Sequence, residues 1–489
     1  MIRVGLARTA ADYGGVVAPF APGKAYPEIG RLLSDAASGN EPNPAYEGVR
    51  GALHALGLDS ERFGSEAWNP LGELVARGGR VVLKPNFIRH WNARDGGHVS
   101  SVITHGAVLR AVADYAWIAV GPRGSVAIAE APQHDCDFER IREIAGLDEL
   151  AALYRNQLQQ TLDVIDLRRE AVVYRDGVIV ERRTLPGDPA GYRVVDLGER
   201  SWFHGSGLDP KRFRGADYDA APTIENHSGG RHAYLLSETA LSADLVVNLP
   251  KLKTHKKTGV TLALKNLVGI NGDKNWLPHH CVGSPADGGD EFPGERWADR
   301  LRSRATEHGR ALLKRGIGGT LVRVVRRAEN AARGQDFLRS GNWHGNRTTW
   351  RMCLDLNRCL YYSAPGGTRL DADAPVRTVL TILDGIVAGE GEGPLAPDDR
   401  PLGAVVAGSD PVAVDLAAIR LMGFDESRVP KVREAMADEG LRITGVRRSE
   451  DVRVGELVGN ALVLRPLDEI ECDSVFQPHS GWAGHLEKR

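Results

Sequence analysis

RVVLKPN at 80–86, a helical pattern at 105–115 and SVAIAEA at 125–131 are the three pieces that decide the fold. The outer two are short β-branched runs. The middle one places Val108, Leu109, Val112 and Ala113 at the spacing of an amphipathic helix. Strand, helix and strand in that order make a right-handed βαβ crossover, so the two strands are expected to be parallel neighbours. The same kind of run recurs as LDVIDL (162–167), ADLVVNLP (243–250), RTVLTILDGIVAG (377–389), GAVVAG at the start of 403–424, and ALVLRPL (461–467). ADLVVNLP is nearly continuous in apolar residues, which predicts burial on both faces.

The expected fold is therefore α/β, a mostly parallel sheet with flanking helices. Two α/β parts are expected, at 1–294 and 340–489, separated by a basic helical insertion at 295–339. Within 296–339 there are twelve Lys or Arg against four acidic residues, and Trp297, Leu301, Leu312, Leu313, Leu321, Val324, Val325 and Ala328 fall at helical spacing. Such a face is either a solvated helix surface or a site for an anionic partner or a substrate entrance. One amphipathic helix is expected over 137–154, a hairpin turn at Asp176-Gly177, and a long loop over 199–230.

Composition narrows the function classes. The 489 residues carry 62 Lys+Arg against 64 Asp+Glu, a net charge of -2, and 42% are hydrophobic. A core large enough for two or three domains follows. Balanced charge and 6% aromatic residues disfavour a nucleic-acid binder. No run approaches the ~18–20 apolar residues of a bilayer crossing, and MIRVGLARTAADYGG lacks the pattern of a secretory signal, so a cytoplasmic location without a membrane partner is expected. Cys136, Cys281, Cys353, Cys359 and Cys472 are scattered and never spaced C-x-x-C, so no self-contained iron–sulfur motif is written. Nucleophile-elbow, Walker, dinucleotide and kinase signatures are absent as well.

The densest chemistry follows ADLVVNLP. Lys251, Lys253, Lys256, Lys257 and Lys265 lie within fifteen residues, interleaved with Thr258, Thr261 and Asn266. Ligands of open α/β sheets sit beyond the carboxyl ends of strands, where this run begins. Lys265 lies inside an apolar series, where an ammonium is paired or loses its proton. Lys84 and Asn86, and Glu130 to His134, leave two further strand ends and are expected at the same sheet edge. Downstream, His279 and His280 are adjacent, so one of them is expected to join the site. DGIVAGEGEGP at 384–394 reads as an apolar strand leading into a flexible acidic loop. Asp410-Pro411 reads as an N-cap, and Asp415, in an apolar helix, is expected to be buried against a cation.

These blocks, above all DLVVNLPKLKTHKKTGVTLALKNLVG with VVLKPN, ILDGIVAGEGEGP and AGSDPVAVDLAA, resemble the prokaryotic DUF362 family, named for its unknown function. Many of its members carry or accompany ferredoxin-like iron–sulfur modules, whose cysteines this sequence lacks. A weaker resemblance is to the core of the nickel-pincer lactate racemases. It implies His255 and His134 as catalytic imidazoles, Lys265 as the lysine that holds the pyridinium-derived cofactor, and His280 as a nickel ligand. Ala263-Leu264 stand where that family has paired glycines.

The expected function is that of an enzyme on a small anionic metabolite, carboxylate or phosphate, possessing racemase-like chemistry and a metal-containing cofactor. Lys84, Asn86, Lys253, Thr258, Thr261 and Asn266 are expected to bind the anion, with His255, His134 and Lys265 catalytic and His280 the metal ligand. Lys265 is either a cofactor or substrate anchor or a stabiliser of developing negative charge. The alternative is a non-catalytic redox or binding accessory protein that docks an acidic partner through 296–339.

Overall fold

Side chains on successive residues of a strand point to opposite faces, and in Leu245–Leu249 both faces are covered. Leu245, Val247 and Leu249 enter one apolar cluster and Val246 enters the other. The computed structural model describes residues 1–489 except 34–37, 176–177, 295, 316–337, 339, 365–373, 460, 473 and 489. The expected turn at Asp176-Gly177, the distal insertion residues Leu321, Val324, Val325 and Ala328, and the boundary at 339 lie outside the described residues.

One large sheet organises the chain. Across it run Ala461–Pro466, Val452–Val458, Ile2–Arg8, Ala396–Gly408, Thr378–Glu392, Leu245–Leu249, Arg80–Pro85, Ser125–Glu130 and Leu162–Asp166, with Lys251–His255 paired alongside Thr378–Glu392. From Thr378–Glu392 to Leu162–Asp166 every neighbour is parallel. The expected βαβ unit is present as Arg80–Pro85, helix Gly106–Val120 and Ser125–Glu130. Strands from 1–294 and from 340–489 thus interleave in a single sheet. Helices Pro44–Leu56 and Gly106–Val120 cover one face, and Thr349–Tyr362 and Pro411–Leu421 the other.

Several local expectations change. The segment 137–154 forms two helices, Phe138–Ile144 and Leu147–Leu158, broken at Gly146, whose φ of 60° is left-handed. A Cβ there would lie 2.6 Å from the Cβ of Ala18, so glycine is needed for space as well as for φ. The loop at 199–230 contains the strand Phe213–Arg214, paired with His280–Cys281, and the helix Ala221–Asn226. The stretch read as a flexible acidic loop is strand: Thr378–Glu392 runs on through Gly389 and Gly391, paired with Ala396–Gly408. Its glycines serve close approach, because a Cβ on Gly389 would meet the Ser101 carbonyl oxygen at 2.9 Å and the Lys253 Cβ at 3.0 Å. In the insertion, helix Trp297–Lys314 forms as expected, but Trp297 and Leu301 are 76% and 58% exposed rather than core-facing.

Asp410 caps the helix Pro411–Leu421 by accepting from the Val412 and Ala413 amides, each at 3.0 Å. Asp415 is buried and pairs with Lys431 Nζ at 2.5 Å. Its other oxygen accepts from the Ala263 amide at 2.6 Å, and Lys431 donates to the Thr261 carbonyl at 3.2 Å. This buried ion pair thereby holds the entrance of the five-residue helix Leu262–Asn266, which carries Lys265.

Candidate functional site

The carboxyl ends of the central parallel strands open onto one cavity of about 440 Å³. Asn86 enters it from the end of Arg80–Pro85, Glu130 and His134 from the end of Ser125–Glu130, and Lys253 and His255 from Lys251–His255. The helix Leu262–Asn266 adds Lys265 and Asn266, and the segment beyond it adds Lys274, His279 and His280. The strand exits therefore converge as the parallel order requires.

Burial decides the protonation of this wall. Lys253 donates to Asn86 Oδ1 at 3.2 Å and to the Val102 carbonyl, with no carboxylate partner. Burial first, then Lys251, pushes its pKa well below the usual lysine range. Lys257 donates to the Ser340 carbonyl, and Lys274 to the carbonyls of Val268 at 3.2 Å and Asn271 at 3.4 Å. Burial brings both down to about 7, helped at Lys257 by neighbouring Lys256 and opposed at Lys274 by Glu130. Lys265 is partly open to the cavity and makes no hydrogen bond or ion pair among the described residues. Burial lowers its pKa against the pull of Cys353 and Glu130.

Four imidazoles line the same space, and all are held neutral. His134 and His279 are brought down to about 3, by burial first and then by lysines, Lys274 for His134 and Lys257 for His279. His255 and His280 lie well below their ordinary value for the same reason. Hydrogen bonds orient two of them. His255 Nδ1 accepts from the amides of Lys257 at 3.0 Å and Thr258 at 3.3 Å, which assigns the proton to Nε2. His279 Nδ1 lies 2.8 Å from the Leu277 carbonyl and must donate to it, which leaves Nε2 with a free lone pair. His255 is thus a donor and His279 an acceptor. The Nδ1 atoms of His134 and His280 are buried without a partner, as is Thr261 Oγ1.

The remaining sequence candidates divide. Asn266 lines the cavity, yet its amide nitrogen is spent on Asn248 Oδ1 at 2.8 Å and on the Lys84 carbonyl at 3.2 Å. Lys84 stands behind the wall in an ion pair with Glu130. That pair packs against Gly269, where a Cβ would lie 1.8 Å from Glu130 Oε1 and 2.5 Å from Lys84 Nζ. Thr258 turns away and donates to the Val260 carbonyl at 3.0 Å. Lys257, Lys274, His279 and Arg310 reach the cavity without having been singled out. For the two lysines the signal lay in the lysine-rich run and its downstream neighbour. His279 was set aside by the rule that adjacent side chains diverge, while Arg310 belongs to the basic helix Trp297–Lys314, read only as a whole and not residue by residue.

Among the described residues no three His, Cys, Asp or Glu side chains are placed to hold a metal ion, and no helix is long and apolar enough to cross a membrane. A family model described as "Domain of unknown function (DUF362)" matches residues 163–420, more than half of the chain. A thylakoid-associated protein of Synechocystis sp. is 27% identical over 218 residues, which cover 45% of this chain and 43% of that relative. The chain thus spans less than half the length of that curated relative. No solved structure is matched.

Proposed function

The chain belongs to the DUF362 family, and from that premise we propose that it is an enzyme acting on a small anionic metabolite by proton transfer of the racemase or epimerase kind. The observation that carries this reading is Lys265, a lysine at the wall of a 440 Å³ cavity with no hydrogen bond or ion pair among the described residues. A cation placed so is costly unless a ligand uses it.

In the proposed chemistry Lys253, positioned by Asn86, and Thr261 orient the anionic group of the ligand. His279 Nε2 accepts a proton from the acidic C–H or O–H of the ligand. His255 donates from Nε2–H, and with Lys265 it stabilises the negative charge that develops on the neighbouring oxygen. The imidazolium formed at His279 gives the proton back, or His134 delivers one to the other face after it has itself taken up a proton from solvent. The neutral state of all four histidines suits this division, since a neutral imidazole serves as donor or acceptor according to its tautomer.

The residues also fit a cofactor of the nickel-pincer type. Among the described residues neither Lys265 Nζ nor His280 Nδ1 has a hydrogen-bond partner, and both residues belong to the wall of one cavity. Lys265 would hold the organic part and His280 the metal, the other metal ligands coming from the cofactor itself. Bound there, such a group supplies reversible hydride acceptance at a substrate carbon.

The test is elemental analysis and intact mass of the protein purified from its native host, joined to a thermal-shift screen of carboxylates and phosphates. Stabilisation by an anion that Lys265→Met abolishes supports the reading. If no anion shifts the melting temperature of either protein and no adduct or metal is found, the reading is wrong. A second reading, an accessory protein docking an acidic partner through 296–339, draws on the exposed Trp297 and Leu301 beside the arginines of that helix. Salt-sensitive pull-down of a partner without any small-molecule response would favour it. We place the protein in the cytoplasm; cell fractionation decides between that and an association of the kind named for the thylakoid-associated relative.

A further inference from the structure

Six cationic side chains line the cavity, Lys253, Lys256, Lys257, Lys265, Lys274 and Arg310, against one carboxylate, Glu130, which Lys84 already neutralises from behind. Four of the lysines, 253, 257, 265 and 274, have no carboxylate partner among the described residues; three donate only to carbonyl or amide oxygens. Burial lowers the pKa of these four in the empty site, so each becomes a full cation only beside an anionic oxygen, and a ligand with one small anionic group would leave several of them without one.

The cations also come from two places. Lys253 and Lys274 belong to the sheet edge and the segment after Leu262–Asn266. Arg310 comes from the helix Trp297–Lys314, where Glu307 holds it at 3.1 Å and is itself held by Arg214 Nε at 2.9 Å. Lys257, fixed by the Ser340 carbonyl just beyond the insertion, is near enough to feel the charge of Arg310. Lys265 lines the same cavity as Lys253, Lys257 and Lys274, and its charge disfavours theirs. An anchored guanidinium beside an ammonium suits the three oxygens of a phosphate, whereas Lys253 with the Asn86 amide offers the smaller grip of a carboxylate site.

Resting on the reading of this cavity as an anion site, we propose that its ligand carries two anionic groups, a phosphate held by Arg310 and Lys257 and a carboxylate held by Lys253 and Lys274, with Lys265 between them. Arg310 is then the specificity-determining residue, and the insertion contributes to the wall of the site.

Calorimetric titration of the full chain at constant ionic strength tests this with three probes: 3-phosphoglycerate with both groups, glycerol 3-phosphate with the phosphate, and glycerate with the carboxylate. The expected result is that 3-phosphoglycerate binds at least about tenfold more tightly than either single-group probe. Arg310→Ala should weaken both phosphates while leaving glycerate unchanged, and Arg310→Lys should restore part of the loss; unchanged circular dichroism shows that the variants fold. Equal affinity of all three probes, or of 3-phosphoglycerate and either single-group probe, overturns the two-group proposal and leaves the anion-site reading standing. Failure of every probe, with no effect of Lys265→Met on any thermal shift, removes both.

Discussion

Replacing Asp415 by Asn separates the charge of the buried pair from its shape. Asp415 and Lys431 both have fully buried side chains, 2.5 Å apart. The amide oxygen of Asn can still accept from the Ala263 N–H, now 2.6 Å from Asp415 Oδ1, so the helix entrance keeps that bond. What is lost is the countercharge of Lys431, whose other acceptor among the described residues is the Thr261 carbonyl at 3.2 Å. Removing one partner of a buried ion pair costs about 3–5 kcal/mol. Asp415→Ala should cost about 1–3 kcal/mol more, since the Ala263 N–H is then left unsatisfied. The double change Asp415→Asn with Lys431→Met should recover most of the loss, because the Ala263 N–H keeps its acceptor and no buried charge is left without a partner. Urea unfolding followed by tryptophan fluorescence reads the three variants, with stability taken from the midpoint at constant m. A loss below about 1 kcal/mol for Asp415→Asn, or a double variant worse than the single, would refute the account of this pair. A second readout is specific to the site: the calorimetric affinity for an anion should fall in Asp415→Asn even far below its melting temperature, because Lys265 rides on the helix this pair secures.

Further expectations concern the cavity. Lys257 and Lys274, at about 7 in the empty site, take up protons when an anion binds, so affinity for sulfate, a dianion throughout, should fall as pH rises from about 6 to about 9; a flat profile by calorimetry contradicts this. The same two groups bind fewer protons folded than unfolded between pH 7 and the ordinary lysine value. The ligand-free protein should therefore gain stability as pH rises across that window, measurable as an increasing melting temperature. His134, His227 and His279, each brought down to about 3, act in the acid range: their neutral burial is fully tolerated above the ordinary imidazole value, and stability drains away as pH falls below it toward 3. Gly269→Ala forces a methyl against Glu130 and Lys84. It should cost on the order of 1–3 kcal/mol by overpacking, seen as a lowered urea midpoint, and a neutral result would show that the pair moves freely. His279→Gln should cost more activity than His280→Gln once a substrate is in hand, since only His279 has its free nitrogen fixed by a backbone partner.

Much of the sheet was legible because its central strands are short apolar runs that need little context. RVVLKPN, SVAIAEA and ADLVVNLP each became a strand, and their parallel order carried Asn86, His134, Lys253 and His255 to one edge. Asp415 was legible for a related reason, since a carboxylate in an apolar helix has few tolerable environments. Glycine was the weak signal. In 384–394 it marks backbone pressed against Lys253 and Ser101, although the same letters also describe a flexible loop, and only the neighbours tell the two apart. Lys84 was read as a ligand group because a strand-end lysine and a buried ion-pair lysine look alike until Glu130 is placed beside it. Arg310 was covered only by the general reading of its basic helix, since the contacts that bring it to the wall, through Glu307 to Arg214, span 93 residues of chain.

The position of Ile2–Arg8 has a consequence for how the chain is made. Its two neighbours in the sheet are Val452–Val458 and Ala396–Gly408, so during synthesis this strand has no partner until about 390 more residues have followed it. At about 5–20 residues per second that wait lasts roughly 20–80 s, during which an apolar strand with both edges unpaired is available to any other chain. Helix Pro44–Leu56, which packs directly on that strand, is then its first shelter, and variants that loosen the helix should lower the yield of soluble protein from cells before they change anything measured on the folded molecule.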